Sequence, residues 1–98
     1  MWTGLLPIGS VVLLHEDTHR LMIIGHSAVK ETDRSVVYDY SACEFPEGFQ
    51  DAEHIYLFDQ EQIEYVDCIG FLDARQEKWL VDVKETIRQL RNRKASAE

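Results

Sequence analysis

The segment Leu5-Leu6-Pro7-Ile8-Gly9-Ser10-Val11-Val12-Leu13-Leu14, followed by six polar residues from His15 to Arg20 and then by Leu21-Met22-Ile23-Ile24-Gly25, decides the fold class. Two short apolar runs separated by a polar interval of hairpin length read as a pair of antiparallel strands. Pro7 has no amide to donate and Gly9 weakens a strand interior, so the first strand proper is expected from Ser10, with a bend or bulge before it. The polar run Lys30 to Arg34 is the next turn. It leads to a third strand from Ser35 to Cys43, on which the two-residue period sets Val36, Tyr38 and Tyr40 on one face. Pro46 and Gly48 exclude a central strand and make residues 44–49 a loop carrying Phe45 and Phe49. Ile55 to Phe58 is a short strand, and Asp59 is placed to cap a single helical turn. Tyr65 to Leu72 reads as the last strand, interrupted by Gly70.

Four or five short strands at this spacing predict a mainly β fold, either a small, highly curved antiparallel sheet or an SH3-like barrel. The period changes at Asp73. Trp79, Val83, Ile87 and Leu90 recur at spacings of four, four and three, which places them on one face of a helix from about 74 to 92. Asp73 is the expected N-cap, with Gln76 as the reciprocal member of a capping box. The apolar stripe of this amphipathic helix must be buried, either against the sheet or against another chain. One domain over residues 1–98 is therefore expected, with a β-rich core over about 5–72 and a frayed tail at 95–98.

The chain has 98 residues and a net charge of -8, with 45% hydrophobic and 29% charged residues, a composition that excludes disordered, collagen-like and disulfide-scaffold classes. Charge is unevenly shared: residues 1–72 carry three Lys or Arg against 13 Asp or Glu, and residues 73–98 carry seven against five. Nine acids and no Lys or Arg lie between Ser35 and Leu72, so the aromatics there face a field that repels phosphate, and nucleic-acid binding is disfavoured. A cationic or mixed-charge protein partner is easier to accommodate. No apolar run approaches the roughly 20 residues of a membrane helix. Two cysteines, Cys43 and Cys68, do not make a secreted disulfide framework, and the N-terminus lacks signal-peptide organisation, so a cytoplasmic location is expected.

No catalytic, cofactor-binding or metal constellation emerges. His15-Glu16-Asp17-Thr18-His19 has the spacing of a zinc-protease motif, but that chemistry needs both histidines on one helix, and here they lie in a hairpin loop. The carboxylates at Asp51 and Glu53, or Asp59, Glu61 and Glu64, carry no sign of the differing environments that acid–base pairs require. Neither Ser10 nor the cysteines sit in a nucleophile context. The chain is expected to be no enzyme. What remains are two contact surfaces: the loop aromatics Phe45 and Phe49, and the C-terminal half of the helix, with Ile87, Arg88, Leu90, Arg91 and Lys94.

The segments Pro7-Ile8-Gly9-Ser10-Val11, Leu21-Met22-Ile23-Ile24-Gly25, Tyr38-Asp39-Tyr40, Phe45-Pro46-Glu47-Gly48-Phe49 and Tyr56-Leu57-Phe58-Asp59, in this order, resemble a family of small Firmicute proteins catalogued as domain of unknown function 4176. His26 stands where that family often has Arg, and the His15 to His19 loop replaces a Gly- and Lys-rich one. The resemblance implies a cytoplasmic accessory or targeting factor, without known enzymatic activity, encoded near LXG toxins of type VII secretion. It further implies as partner a toxin N-terminal region or a helical companion protein. A homodimer is a compatible assembly, and the competing reading is an immunity protein that neutralises a cognate toxin.

Overall fold

The computed structural model describes residues 4–97, with side chains as far as residue 93. Five strands and one long helix follow in order: β1 (Val11–Leu14), β2 (Leu21–Ala28), β3 (Tyr38–Glu44), β4 (Ile55–Phe58), β5 (Ile63–Cys68) and α1 (Ala74–Ala97), with 3-10 turns at Ala52–His54 and Gln60–Gln62. All pairings are antiparallel, in the order β4-β3-β2-β1-β5.

The corner before β1 is built by the Pro7 to Ser10 segment. Gly9 takes φ +91°, a conformation costly for any residue with a Cβ, and its N–H donates to the Ile23 carbonyl at 2.8 Å. Ser10 is fully buried: its hydroxyl donates to the Pro7 carbonyl at 2.8 Å and accepts the Gly70 N–H at 3.0 Å. The expected bend is therefore present, and it is stapled to the end of β5. β2 runs past Gly25, where a strand ending was expected, because the register shifts between Ile23 and Gly25. A Cβ at Gly25 would meet the Ser41 Oγ at 2.6 Å, so a larger residue at this bulge would require the Ser41 hydroxyl to rotate away. β3 begins at Tyr38 rather than Ser35. Val37 is buried while Val36 is 44% exposed, which breaks up the expected Val36, Tyr38, Tyr40 face. β5 ends at Cys68, not Leu72, because Gly70 and the Asp73 cap redirect the chain.

β4 and β5 are consecutive in the chain yet occupy opposite sheet edges, joined only through residues 59–62. The five steps from Phe58 to Ile63 reach at most about 18 Å, and the 3-10 turn shortens that. Four strand spacings in a flat sheet need about 19 Å. The sheet is therefore strongly curled, but its edges do not pair. The SH3-like barrel expectation is corrected to an open five-stranded antiparallel sheet.

One sheet face carries Val12, Leu21, Ile23, Tyr40, Ala42 and Phe58, which join Leu5, Leu6 and Val37 in the core beneath the helix. Tyr40 is completely buried, stacks 5.4 Å from Phe58, accepts the Leu6 N–H at 2.8 Å and donates to the Gln60 side chain. The helix supplies Leu80, Val83 and Ile87, each buried, with Leu90 packed at the margin. The buried stripe thus starts at Leu80, one residue later than expected, and Trp79 is 50% exposed at its side. The helix continues through Ala97, over residues 95–97 that the sequence reading assigns to a tail. Asp73 caps it, accepting the Gln76 N–H at 2.8 Å; the reciprocal bond is absent among the described residues, and the Gln76 Nε2 is buried without a partner.

The placement of Trp79 sets its energetic weight. A buried Trp truncated to Ala loses about 3–5 kcal/mol; Trp79→Ala, half in water and holding one long hydrogen bond to His26 at 3.3 Å, is expected to cost about half of that, about 2 kcal/mol. A urea-midpoint comparison checks this, and a loss above about 3 kcal/mol would refute it.

Candidate protein-binding surface

The Phe45 to Phe49 loop is held from several sides. The Phe45 N–H donates to the Arg20 carbonyl at 2.9 Å, the Gly48 N–H to the Glu44 carbonyl at 2.7 Å, and Gly48 takes φ +78°. The Phe45–Pro46 peptide is cis. The Arg20 guanidinium lies 5.2 Å above the half-buried Phe45 ring, a cation–π contact between the first hairpin and the loop. His19 Nε2 meets Glu47 Oε1 at 2.9 Å; that hydrogen bond raises the His19 pKa and lowers that of Glu47. Phe45 is thus a packing residue and Phe49, 68% exposed, is the aromatic the loop presents.

Phe49 walls a shallow groove of about 390 Å³ with Val29, Lys30, Glu31, Ala52, Ile55 and Leu57. The groove lies on the sheet face away from the helix, because Ile55 and Leu57 pair with Cys43 and Ser41, which alternate with the core-facing Tyr40 and Ala42. A straight cross-strand row on that face, Cys68, Val11, Met22, Cys43 and Ile55, is apolar through all five strands. Acids surround it. Glu44 accepts from the Tyr56 hydroxyl at 3.1 Å and the Gln50 amide at 3.0 Å, and Asp51 caps the turn before β4 while bonding the His54 ring at 2.7 Å. That last bond raises the His54 pKa.

The expected helix surface is arranged differently. Ile87 is 3% exposed and packs on this chain's own sheet with Leu90 at its edge. Arg91 binds the sheet: its guanidinium donates to the Val37 carbonyl at 2.8 Å, and lies 2.9 Å from an Asp59 carboxylate oxygen and 3.3 Å from one of Asp39. Asp39 and Asp59 in turn tie β3 to the turn before β5, since Asp39 accepts the Gln60 N–H and Asp59 accepts the Asp39 N–H. Arg88 pairs with Glu85 on the helix itself. The Lys94 side chain lies outside the described residues.

Two features were missed in the sequence. Phe71, 79% exposed, lies in the loop before the helix, and Val81, 69% exposed, lies in the helix two residues after the half-exposed Trp79. A hollow of about 420 Å³ is lined by Leu5, Leu72, Leu80 and Val81 together with Glu77 and Lys84. The Gly70 and Asp73 pair was the available signal, because together they end the strand and put Phe71 in a loop.

Among the described residues there is no group of three His, Cys, Asp or Glu side chains placed to hold a metal. Cys43 is buried and Cys68 exposed, and both are free thiols. No described helix is long and apolar enough to cross a membrane.

His26 ties the helix to the sheet. Its Nε2 donates to the Leu6 carbonyl at 2.7 Å, which leaves Nδ1 as acceptor for the Trp79 indole N–H at 3.3 Å. Burial lowers its pKa below 6.5, against the opposing pull of the Leu6 carbonyl and the Asp39 charge. The unfolded chain therefore takes up this proton first, and stability falls as pH drops from about 6.5 toward the lowered value. Gln keeps a donor toward Leu6 but does not titrate. Wild type is expected to lose stability relative to His26→Gln between about pH 7 and pH 5; parallel urea-midpoint profiles would refute the assignment.

These observations define an open, helix-covered antiparallel sheet with an apolar row and an aromatic-walled groove on its outer face. The chain belongs to the family described as Domain of unknown function (DUF4176), whose model matches residues 5–79, taking in all five strands and ending in the first helical turns. No curated protein and no solved structure matches it.

Proposed function

We propose that the protein is a non-enzymatic, protein-binding accessory or targeting factor for a toxin substrate of type VII secretion, acting in the cytoplasm before export. The observation that carries the binding reading is Phe49, held 68% exposed on a pinned loop where it walls a groove with Val29, Ile55 and Leu57, in a stretch of chain that carries Glu44, Glu47, Asp51 and Glu53 and no Lys or Arg. A rigid exposed aromatic is the residue type that anchors interfaces, and an acidic surround steers a basic partner toward it. The secretion assignment is supported by the resemblance to a family encoded near LXG toxins.

Co-expression with each neighbouring gene product, followed by affinity capture and size-exclusion chromatography with mass determination, tests the reading. A defined complex with a toxin's N-terminal region or its helical companion is expected. Failure to co-purify with any of them at moderate salt would overturn it. The acidic face also supports a second reading, an immunity protein occupying a basic toxin site. Capture through the toxin's C-terminal catalytic domain, with protection of cells from that toxin, would select it.

A further inference from the structure

The two edges of the sheet are built differently. Each edge strand leaves one row of backbone N–H and C=O groups without a strand partner. On β5 the register against β1 slips twice: Ile63 faces Leu14 and Tyr65 faces Leu13, then Val66 faces Val12 and Cys68 faces Val11. The residues left over are Glu64 and Asp67. A strand that carries two bulges, each with an acid, is guarded against the addition of another strand. On β4 the register runs unbroken from Cys43↔Ile55 to Tyr40↔Phe58, and the strand reads Ile-Tyr-Leu-Phe, without charge, Gly or Pro. Nothing in it opposes pairing.

We propose that the β4 edge and the adjoining Phe49 groove dock an extended peptide segment as a sixth strand, one that alternates apolar residues with Lys or Arg. This rests on the protein-binding reading above and names its mode. A strand laid along β4 sends every second side chain over the face that holds Ile55 and Leu57, where Phe49 and Val29 wall the groove. Acids bracket the edge in the chain, Asp51 and Glu53 before β4 and Glu61 after it, Glu31 lines the groove, and Lys30, the one basic residue among its described lining, lies 5.9 Å from the Tyr38 ring. A second copy fits poorly. Antiparallel self-pairing that keeps the faces matched is centred on Tyr56 or on Leu57, and sets Glu53 opposite Asp59 or Glu61 of the second copy, between chains that each carry a net charge of -8.

The test uses the ¹⁵N-labelled full chain and three ten-residue probes: Lys alternating with Val, the same peptide with Glu for Lys, and the Lys peptide with alternate backbone amides N-methylated. Expected are saturable amide shifts centred on Ile55 to Phe58 and Phe49, with slowed hydrogen exchange on β4, for the first probe alone. Phe49→Ala, at an exposed position, is expected to leave thermal unfolding unchanged while weakening binding about tenfold. Glu53→Lys is expected to weaken it as well. Equal binding of the Glu or N-methylated peptide, no response at β4, shifts centred on Phe71 and Val81, or dimerisation through β4 would each overturn the proposal. A captured toxin complex whose β4 amides stay unprotected would overturn strand addition while leaving the protein-binding reading intact.

Discussion

Gly70→Ala is expected to lower stability by about 3 kcal/mol or more, the upper end of overpacking costs, and to drop the melting temperature by more than about 12 °C. The reason is backbone against backbone. A Cβ at Gly70 would sit 2.1 Å from the Ile8 carbonyl oxygen, 2.9 Å from the Ser10 nitrogen and 3.0 Å from the Gly9 carbonyl carbon. None of these atoms is the end of a flexible side chain, so relief requires moving the Pro7 to Ser10 corner. That movement would pull Ser10 from the Gly70 N–H and disturb the Gly9 N–H bond to the Ile23 carbonyl, in the corner where the chain enters β1. Thermal unfolding of the purified variant checks this, and a melting temperature within about 3 °C of wild type would refute it. Ser10→Ala tests the staple separately: it leaves the Gly70 N–H without its hydroxyl acceptor, at an expected cost of about 1–3 kcal/mol.

Ile87→Ala is expected to cost about 2–5 kcal/mol, the range for truncating a fully buried aliphatic side chain. Ile87 is 3% exposed in the middle of the helix stripe, in one core with Tyr40, Phe58, Leu5 and Leu6. If the stripe instead served a partner chain, the isolated protein would be indifferent to the change and only the complex would weaken. A urea-midpoint shift of the monomer, measured beside Val81→Ala at a position 69% exposed, separates the two. The Ile87 variant is expected to shift and the Val81 variant to stay within about 0.5 kcal/mol of wild type. Equal midpoints for both would show that the helix does not pack as described.

Both predictions fall on residues whose type was readable in the sequence and whose role was not. Gly70 is visible as an interruption near the end of a strand, but its necessity comes from Ile8, 62 positions earlier in the chain. Local pattern carries no information about which backbone will approach it. Ile87 is visible as one position in a four, four, three series, which establishes a buried face without saying what buries it. The same series includes Trp79 in place of Leu80, because the period of a helix leaves a one-residue uncertainty at the end of a stripe, and only the position of the sheet shows which side chain turns under. Arg91 reads in the sequence as part of a contact surface on the C-terminal half of the helix. It proves to be a clamp on Val37, Asp39 and Asp59, residues at least 32 positions away.

The surface was partly legible. Pro46 and Gly48 place Phe45 and Phe49 in a loop, and the absence of Lys and Arg from Ser35 to Leu72 marks the acidic field. Which of the two rings is presented depends on Arg20, which comes from the first hairpin and lies over Phe45 alone.

Residues only a few positions apart were enough to establish five strand-forming runs, a corner at Pro7 to Ser10, a helix begun by Asp73, and a charge split between sheet and helix. Those properties arise from backbone propensity, side-chain period and capping, all of which act over a turn or a strand pair. Tertiary contact decided that β4 and β5 become opposite edges of an open, curled sheet, that one edge is bulged at Glu64 and Asp67 while the other is left smooth, and that the helix stripe is satisfied within the chain. Each depends on register and contact between segments tens of residues apart, where the number of available pairings is large and burial of the shared apolar faces selects among them.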